Sequence, residues 1–471
     1  MTSLLWFRRD LRLRDHEALN LAVANSPTNS VAAVYVLELD YFESLSPIRQ
    51  HSLLASVNSL RDSMSGRLAI KVVTGREQLV QALVALATEL GVTELHASRM
   101  FDPAAVATQN AVGLALKEKG VHLFLTGSNY AVQPGTVAKG DGTPYKVYTP
   151  FYKVWAASHW QASTEVPNQI SWVELASDTL PRPSSDAPFV IRAGEEFADQ
   201  TFAKFVARAL ENYGEDRNRA DLSGTSHLSH ALSHGEIHPS RLLAQLGDSA
   251  GEIVFAKELC WREFYADVLF HNPKSQTEYY EPRFKKMRYD SDAPAMQKLE
   301  AWRQGRTGFP MVDAGMRQLL ETGWMHNRVR MIVASFLVKD LHVEWQHGAA
   351  HFEQLLTDYD PASNAHGWQW TAGTGTDASP YYRVFNPVTQ GYKFDPDGNY
   401  VRKYIPELRH IEGKDVHEPW NLIHGYLNDY PRQIVDHAVE REEALVRLEE
   451  LKTKSEVTGQ PPLQQRGLLD S

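Results

Sequence analysis

Residues 3–7 read SLLWF and residues 31–37 read VAAVYVL, two short apolar runs rich in strand formers. ELHAS at 94–98 and VHLFLTG at 121–127 repeat the pattern. Between them, 51–64 and 77–90 (EQLVQALVALATEL) space their apolar residues at three and four, the period of a helix with one buried face. Strand and helix in alternation predict a Rossmann-like parallel α/β domain over residues 1–130, because a parallel strand pair needs a crossover that a helix supplies. The first run leads directly into RRDLRLRD (8–15), with no glycine where a phosphate-binding turn requires one. A dinucleotide in the usual Rossmann pose is therefore not supported.

Further along, Pro134, Pro144, Pro150, Pro167, Pro181, Pro183 and Pro188 interrupt any long helix, so 131–200 reads as an interdomain connector. Helical spacing then dominates at 201–212, 229–246, 252–270, 312–322, 328–341 and 349–357. These predict a second, larger, all-α domain over 201–445. The last stretch, KTKSEVTGQPPLQQRGLLDS (452–471), is polar and without period, and 446–471 is expected to be a flexible tail.

The chain has 471 residues, with 48 Lys+Arg against 58 Asp+Glu and a net charge of −10, which argues against a histone-like or tail-driven nucleic-acid binder. Charge placement matters more than the total. Residues 283–340 hold eleven Lys/Arg against six Asp/Glu, a local excess of +5 and a docking face for a polyanion. A single cysteine, Cys260, rules out an internal disulfide framework and a Cys-based zinc site, and no metal is expected. Arg8, Arg9 and Asp10 fall where the apolar region of a signal peptide would continue, and the longest apolar run, near 331–338, is too short to span a bilayer. The expectation is a soluble cytoplasmic protein. Tryptophan is the other oddity: eleven copies, seven of them after residue 260.

Four stretches carry chemistry. In ELCWREFY (258–265), Glu258 and Trp261 share a helix face, suited to holding a heterocyclic base by hydrogen bonding and stacking; the bland alternative is an amphipathic helix with an ion pair between Glu258 and Arg262. In TGWMHNRVRM (322–331), Asn327 offers both donors and an acceptor to a pyrimidine edge, while Arg328 and Arg330 have forks that match phosphate or carboxylate. In DYDPASNAHGWQWTAGTGTDASPYYR (358–383), Trp368 and Trp370 fall on one side of an extended segment or on different sides of a helix, and the small residues of TAGTGT suggest close backbone approach to a ligand, with core packing as the alternative. In GTSHLS (224–229), hydroxyls and backbone N–H groups before a helix can wrap a diphosphate, although Ser and Thr precede most helices as caps.

Taken with WFRRDLRLRD near the start, YTPFYKVW (148–155), GRTGFPMVDAGMRQL (305–319) and TGWMHNRVRMIVASFLVKDL (322–341), these stretches resemble the photolyase/cryptochrome family from about residue 3 to about 435. The WQW and NRVRM stretches are similar to the class I cyclobutane pyrimidine dimer photolyases. The resemblance implies a light-driven carbon–carbon lyase for DNA repair: FAD in the helical domain, excited by blue or near-UV light, gives an electron to a dimer flipped out of UV-damaged DNA and regains it once the dimer splits.

Carried over by position, the resemblance assigns Tyr213, Thr225, Ser226, Leu228 and Ser229 to the flavin phosphates and Asp358 and Asp360 to acidic flavin neighbours. It pairs Arg330 with Asp358 and sets Asn364 at the isoalloxazine N5. Trp261 and Trp370 are implied as aromatic walls around the lesion, Glu258 as the acid on a thymine carbonyl, and Asn327 and Met331 as further lesion contacts. Arg217, Arg328 and Arg383 match DNA-backbone contacts. Photoreduction would run through Trp368 and Trp345, by their settings GWQW and VEWQHG, to a third aromatic. There the family expects tryptophan and this chain offers Tyr289, with Trp302 as the other candidate. Arg49, Asp102 and Lys257 resemble antenna positions of deazaflavin-binding members. An 8-hydroxy-deazaflavin is favoured, with methenyltetrahydrofolate, flavin mononucleotide or an empty site as alternatives. A monomer is expected. The rival functions are a cryptochrome-type blue-light receptor, a (6-4) photolyase and a non-enzymatic flavin- or nucleotide-binding protein.

Overall fold

The computed structural model describes residues 2–158, 160, 163–186, 190–376 and 382–457. It divides into two compact units. One comprises residues up to Gly214 with Thr225–Pro273 and Thr357–Asp360; the other comprises Glu215–Gly224, Lys274–Leu356 and the chain from Pro361 onward.

The first unit is built on a parallel sheet of β1 (Ser3–Phe7), β2 (Ser30–Glu38), β3 (Leu68–Val73), β4 (Glu94–Ala97) and β5 (His122–Leu125), in the order β3-β2-β1-β4-β5. Successive residues point to opposite faces, and both faces are buried. Leu5, Phe7, Ala33 and Tyr35 pack into one core, and Leu4, Trp6, Val34 and Val36 into the other. That is why these strands read as unbroken apolar runs. The 131–200 stretch contributes the helix Tyr148–Ala156 and a short strand β6 (Ser171–Val173), which pairs with Ser30–Ala32 of β2.

The strand order reverses between β1 and β4, the point where an open α/β sheet ordinarily admits a ligand. Here RRDLRLRD fills it. Arg8 donates to the Ser98 carbonyl, Arg9 pairs with Asp102, and buried Arg12 donates to Asn129 Oδ1 at 2.6 Å and to the Gly235 carbonyl at 3.0 Å. The missing glycines thus have a structural counterpart.

Helical signals converted well where caps agreed with periodicity. The helix Ala250–His271 starts at a capping box formed by Ser249 and Glu252. The periodic stretch 229–246 is instead two short helices, Ser229–His234 and Pro239–Leu243. Gly235 ends the first at φ 67°, and a Cβ there would lie 2.1 Å from the Arg9 carbonyl oxygen, so the turn requires glycine.

In the second unit, Asp313 organises the GRTGFPMVD loop. It accepts from the Thr307 N–H and hydroxyl at 2.7 Å, from the Gly308 N–H at 3.0 Å and from the Tyr430 hydroxyl at 2.6 Å. The expected tail from 446 differs from the structure, because the helix His437–Val457 runs through that boundary. Ala444, Arg447 and Leu451 are buried on one face, and Arg447 forks onto Asp290 at 2.8 and 3.1 Å. A narrow inward face is thus hidden in a strongly charged sequence. Residues 458–471 lie outside the described residues.

Candidate functional site

In the first unit the structure brings GTSHLS and the acidic pair together. Ser226 Oγ accepts from the Leu228 N–H at 3.3 Å, His227 adopts φ 53°, and the helix Ser229–His234 comes next. This helix clasps the segment that carries Asp358 and Asp360: His230 Nδ1 and His234 Nε2 lie 3.2 and 3.1 Å from the Thr357 carbonyl, and the Ser233 hydroxyl donates to the Tyr359 carbonyl at 2.5 Å. Glu236 faces His230 at 3.6 Å. Burial alone would raise the Glu236 carboxyl, but the close approach and charge of His230, with the charge of His234, hold it down at about 2. Burial likewise opposes the His230 imidazolium, and Glu236 outweighs it, so His230 is raised. Burial and the neighbouring His230 push His234 down to about 3. Tyr213 is buried with edge contacts to Phe205 and Phe255 at 5.3 and 5.6 Å.

Buried Arg49 lies over the Tyr359 ring at 4.7 Å and donates to the Tyr41 hydroxyl at 2.8 Å. Asp102 caps the helix Pro103–Glu118 and pairs with Arg9, whose charge also feels Asp360 and Tyr41. Two of the three antenna positions are therefore linked to the acidic segment. Lys257 instead has its ammonium over the Tyr152 ring at 5.6 Å.

Glu258 and Trp261 lie one turn apart on the helix Ala250–His271, both half-buried. The Trp261 indole stacks on Tyr148 with centroids 3.7 Å apart and planes 6° from parallel. The Arg262 guanidinium donates to the carbonyls of Asn129 at 2.8 Å and Leu232 at 3.1 Å. Tyr148, the first residue of YTPFYKVW, is a neighbour of Trp261 to which the sequence reading gives no role of its own, because an aromatic three residues before Phe151 signals packing as readily as binding.

In the second unit, Asn327 is the first residue of the helix Asn327–Lys339 and is exposed. Arg328 Nε and Nη2 donate to Asn218 Oδ1 at 3.2 and 2.5 Å, and its Nη1 lies 3.6 Å from the Met331 sulfur. Arg217 precedes that asparagine and is half-buried. Arg330 Nε donates to the Met325 carbonyl at 2.8 Å. Arg383 is exposed, and its carbonyl accepts from Lys339 Nζ at 2.6 Å.

Trp368 and Trp370 lie on the helix Pro361–Ala372, which decides between the extended and helical readings of WQW: Trp368 is buried and Trp370 half-buried, on different sides. The small residues after them approach their own helix rather than an open site. Thr374 and Gly375 donate to the Gln369 carbonyl at 2.9 and 3.1 Å, and a Cβ on Gly375 would lie 3.0 Å from that of Gln369. Residues 377–381 of this stretch lie outside the described residues. Asn364 donates its amide N–H to the Ala349 carbonyl at 3.0 Å, which leaves the amide oxygen as an acceptor.

The aromatic line has a member that the sequence did not announce. Trp368 packs on the helix Trp345–Leu355 at Gly348, where a Cβ would lie 2.1 Å from the indole, one turn from Trp345. Trp345 meets Tyr279 edge-on at 6.2 Å, and Tyr279 stacks with Tyr289 at 6.3 Å. Trp302 meets Trp368 edge-on at 6.1 Å.

Comparison with known proteins decides the family. A model described as the DNA photolyase domain matches residues 3–169, and one described as the FAD-binding domain of DNA photolyase matches 255–450. The deoxyribodipyrimidine photo-lyase of Escherichia coli is 37% identical over 472 residues, covering 95% of this chain and 98% of that protein. The protein of the same name from Alkalihalophilus pseudofirmus is 34% identical over 466 residues, covering 94% and 96%. The chain belongs to the DNA photolyase family. Among solved structures, a bacterial class III photolyase from Agrobacterium tumefaciens matches with a TM-score of 0.87 and 35% identity over 96% of this chain and 98% of that one. A Synechocystis cryptochrome matches at 0.84 and 27%, over 94% and 98%.

The photolyase side chains fit the flavin that the family model names. Thr225, Ser226 and Ser229 bring hydroxyls beside a turn whose backbone N–H groups suit a diphosphate, and the neighbouring clasp fixes two carboxylates. Among the described residues, no helix of this photolyase is long and apolar enough to cross a membrane.

Proposed function

We propose that this photolyase splits cyclobutane pyrimidine dimers in UV-damaged DNA under blue or near-UV light, working as a monomer in the cytoplasm. The observation that carries the reading is the Trp261–Tyr148 stack with Glu258 one turn away, in a chain that matches deoxyribodipyrimidine photo-lyases over nearly its whole length. Bound FAD supplies the light-driven electron donor. The protein's part is placement, charge and the exclusion of water.

Tyr213, Thr225, Ser226, Leu228 and Ser229 hold the diphosphate, and Asp358, Asp360 and Arg330 fix the polar edge of the cofactor. Asn364, one of whose two amide N–H groups donates to the Ala349 carbonyl, would present its amide oxygen as an acceptor to the flavin N5. Trp261 and Trp370 stack on the bases of the lesion, each contact worth roughly 1–3 kcal/mol. Glu258 hydrogen-bonds a pyrimidine carbonyl, and Asn327 and Met331 add polar and apolar contacts. A dimer already weakens stacking and pairing, so flipping costs less than for intact DNA. Arg217, Arg328 and Arg383 contact phosphates and position the duplex without reading its sequence.

For the second chromophore we propose 8-hydroxy-deazaflavin. A buried Arg49 guanidinium between the Tyr41 and Tyr359 rings suits a flat anionic ring system. The test of the main reading is illumination of the reduced holoenzyme with an oligonucleotide carrying one defined cyclobutane dimer. Intact pyrimidines are expected, and full FAD occupancy without repair would overturn it in favour of a cryptochrome-type receptor. Repair of a (6-4) lesion alone would favour the other rival.

A further inference from the structure

We propose that Tyr279, with the Glu344 carboxylate as its proton acceptor, is the terminal electron donor of the aromatic line, in place of Tyr289 or Trp302. The inference rests on the flavin-dependent function proposed for this chain.

A phenol that loses an electron becomes a very strong acid, so lasting oxidation of tyrosine needs a proton acceptor already in place. Tyr279 has one: its hydroxyl donates to Glu344 Oε1 at 2.9 Å. Glu344 stands at the N-cap of the helix Trp345–Leu355, where a carboxylate is electrostatically favoured, yet its side chain makes no capping hydrogen bond. It is turned onto the phenol instead.

The alternatives lack this provision. The Tyr289 hydroxyl is buried without an acceptor of normal hydrogen-bond geometry among the described residues, and its polar neighbour is the Tyr279 hydroxyl, itself a phenol and not a base. Trp302 is fully buried, and its indole N–H donates to the Val333 carbonyl at 3.0 Å, an oxygen that cannot keep a proton. Trp345 is buried with its indole nitrogen unpartnered among the described residues, so an oxidised Trp345 cannot relax by deprotonation and must draw an electron from a neighbour. The ring it meets edge-on is Tyr279.

The step balances within the chain. The oxidant that first empties the indoles is the photoexcited oxidised flavin. Once the vacancy reaches Trp345, an electron passes to it from Tyr279, and the phenol proton moves along the existing hydrogen bond to Glu344. An indole radical cation, a phenol and a carboxylate become a neutral indole, a tyrosyl radical and a carboxylic acid. Glu344 is half-buried, so the proton can go on to solvent.

The test is flash excitation of the oxidised FAD holoenzyme, with transient absorption and electron paramagnetic resonance following indole and tyrosyl radicals in H2O and D2O. The wild type should form a tyrosyl radical, more slowly in D2O. Tyr279→Phe should lose that signal and leave an indole radical that recombines faster, whereas Tyr289→Phe should keep it. Glu344→Gln keeps a hydrogen-bonding oxygen but cannot hold the proton; it should lose both the D2O effect and most of the tyrosyl yield while retaining bound FAD. A tyrosyl signal that survives Tyr279→Phe and disappears in Tyr289→Phe overturns the proposal, as does an indole radical in the wild type with no tyrosyl radical after it. If the wild type forms neither radical the proposal falls, whereas the flavin-dependent function is decided separately, by dimer repair with the chemically reduced holoenzyme.

Discussion

Trp261 and Trp368 present the same ring in opposite settings. Trp261 is half-buried and lies parallel on Tyr148 at 3.7 Å, so one indole face rests on a flat support and the group stays within reach of a ligand. Trp368 is 3% exposed and meets Phe352 and Trp302 edge-on at 5.0 and 6.1 Å, with its far edge against Gly348. Its surface is spent on protein, which suits the electron-transfer role proposed for it and leaves no face for a ligand. Under the proposed function the parallel stack at the surface would serve binding and the edge-packed, buried ring transport. Two tryptophan functions in one chain are thereby separable by mutation.

The largest expected effect breaks the transport side alone. Trp368→Phe should abolish photoreduction of oxidised FAD while leaving repair by chemically reduced enzyme intact; unimpaired photoreduction in this variant would refute the assignment. Trp261→Ala should do the reverse. It removes base stacking, so affinity for a dimer-containing oligonucleotide should fall by about 1–3 kcal/mol, roughly 5- to 150-fold, while photoreduction without DNA is unchanged. Fluorescence anisotropy measures the first and flavin absorbance the second. Equal damage to both functions by either variant would mean that the two settings do not mark two roles.

This division was only partly legible in the sequence. Strands such as 31–37 declared themselves because both faces of the sheet are buried, which makes β2 a continuous apolar run. The 229–246 stretch misled because its spacing continues through Gly235, and only the approach of the Arg9 carbonyl shows why the chain must turn there. Glu258 and Trp261 could be paired from a three-residue interval. Tyr279 could not be paired with Glu344, since 65 residues separate them and their meeting depends on how helices stack. Local motifs exposed the Glu258–Trp261 pair, whereas the line from Trp368 to Tyr279 is a product of tertiary packing.

A smaller effect lies in acid, at the clasp around Thr357. Glu236 is depressed from 4.5 to about 2, so its contribution is present above pH 4.5 and is lost as pH falls toward 2. His230 is raised, so its contribution is complete below its ordinary value of 6.5 and fades as pH climbs through the higher folded value. The pair therefore stabilises most between pH 4.5 and 6.5. At about 1.4 kcal/mol per pKa unit, and without counting the shared interaction twice, Glu236→Gln should cost about 2 kcal/mol in that window and progressively less toward pH 2. Denaturant titrations at several pH values check this, and a cost independent of pH would assign Glu236 a packing role only.

The smallest effect sharpens the binding side by separating charge from stacking. Arg383 is exposed and its backbone is anchored through Lys339, so Arg383→Ala removes a cation without disturbing its neighbours. If it contacts one phosphate, the slope of log affinity against log salt should become shallower by about 0.9, with undamaged and damaged DNA affected alike. Arg328→Ala makes the contrast, because that guanidinium also holds Asn218 and touches Met331. Its loss should shift the salt slope similarly and in addition weaken discrimination in favour of the dimer. Should Arg383→Ala alter the preference for damaged over intact DNA, its role would be recognition rather than attraction, and the separation between charged positioning and aromatic reading would fail at that residue.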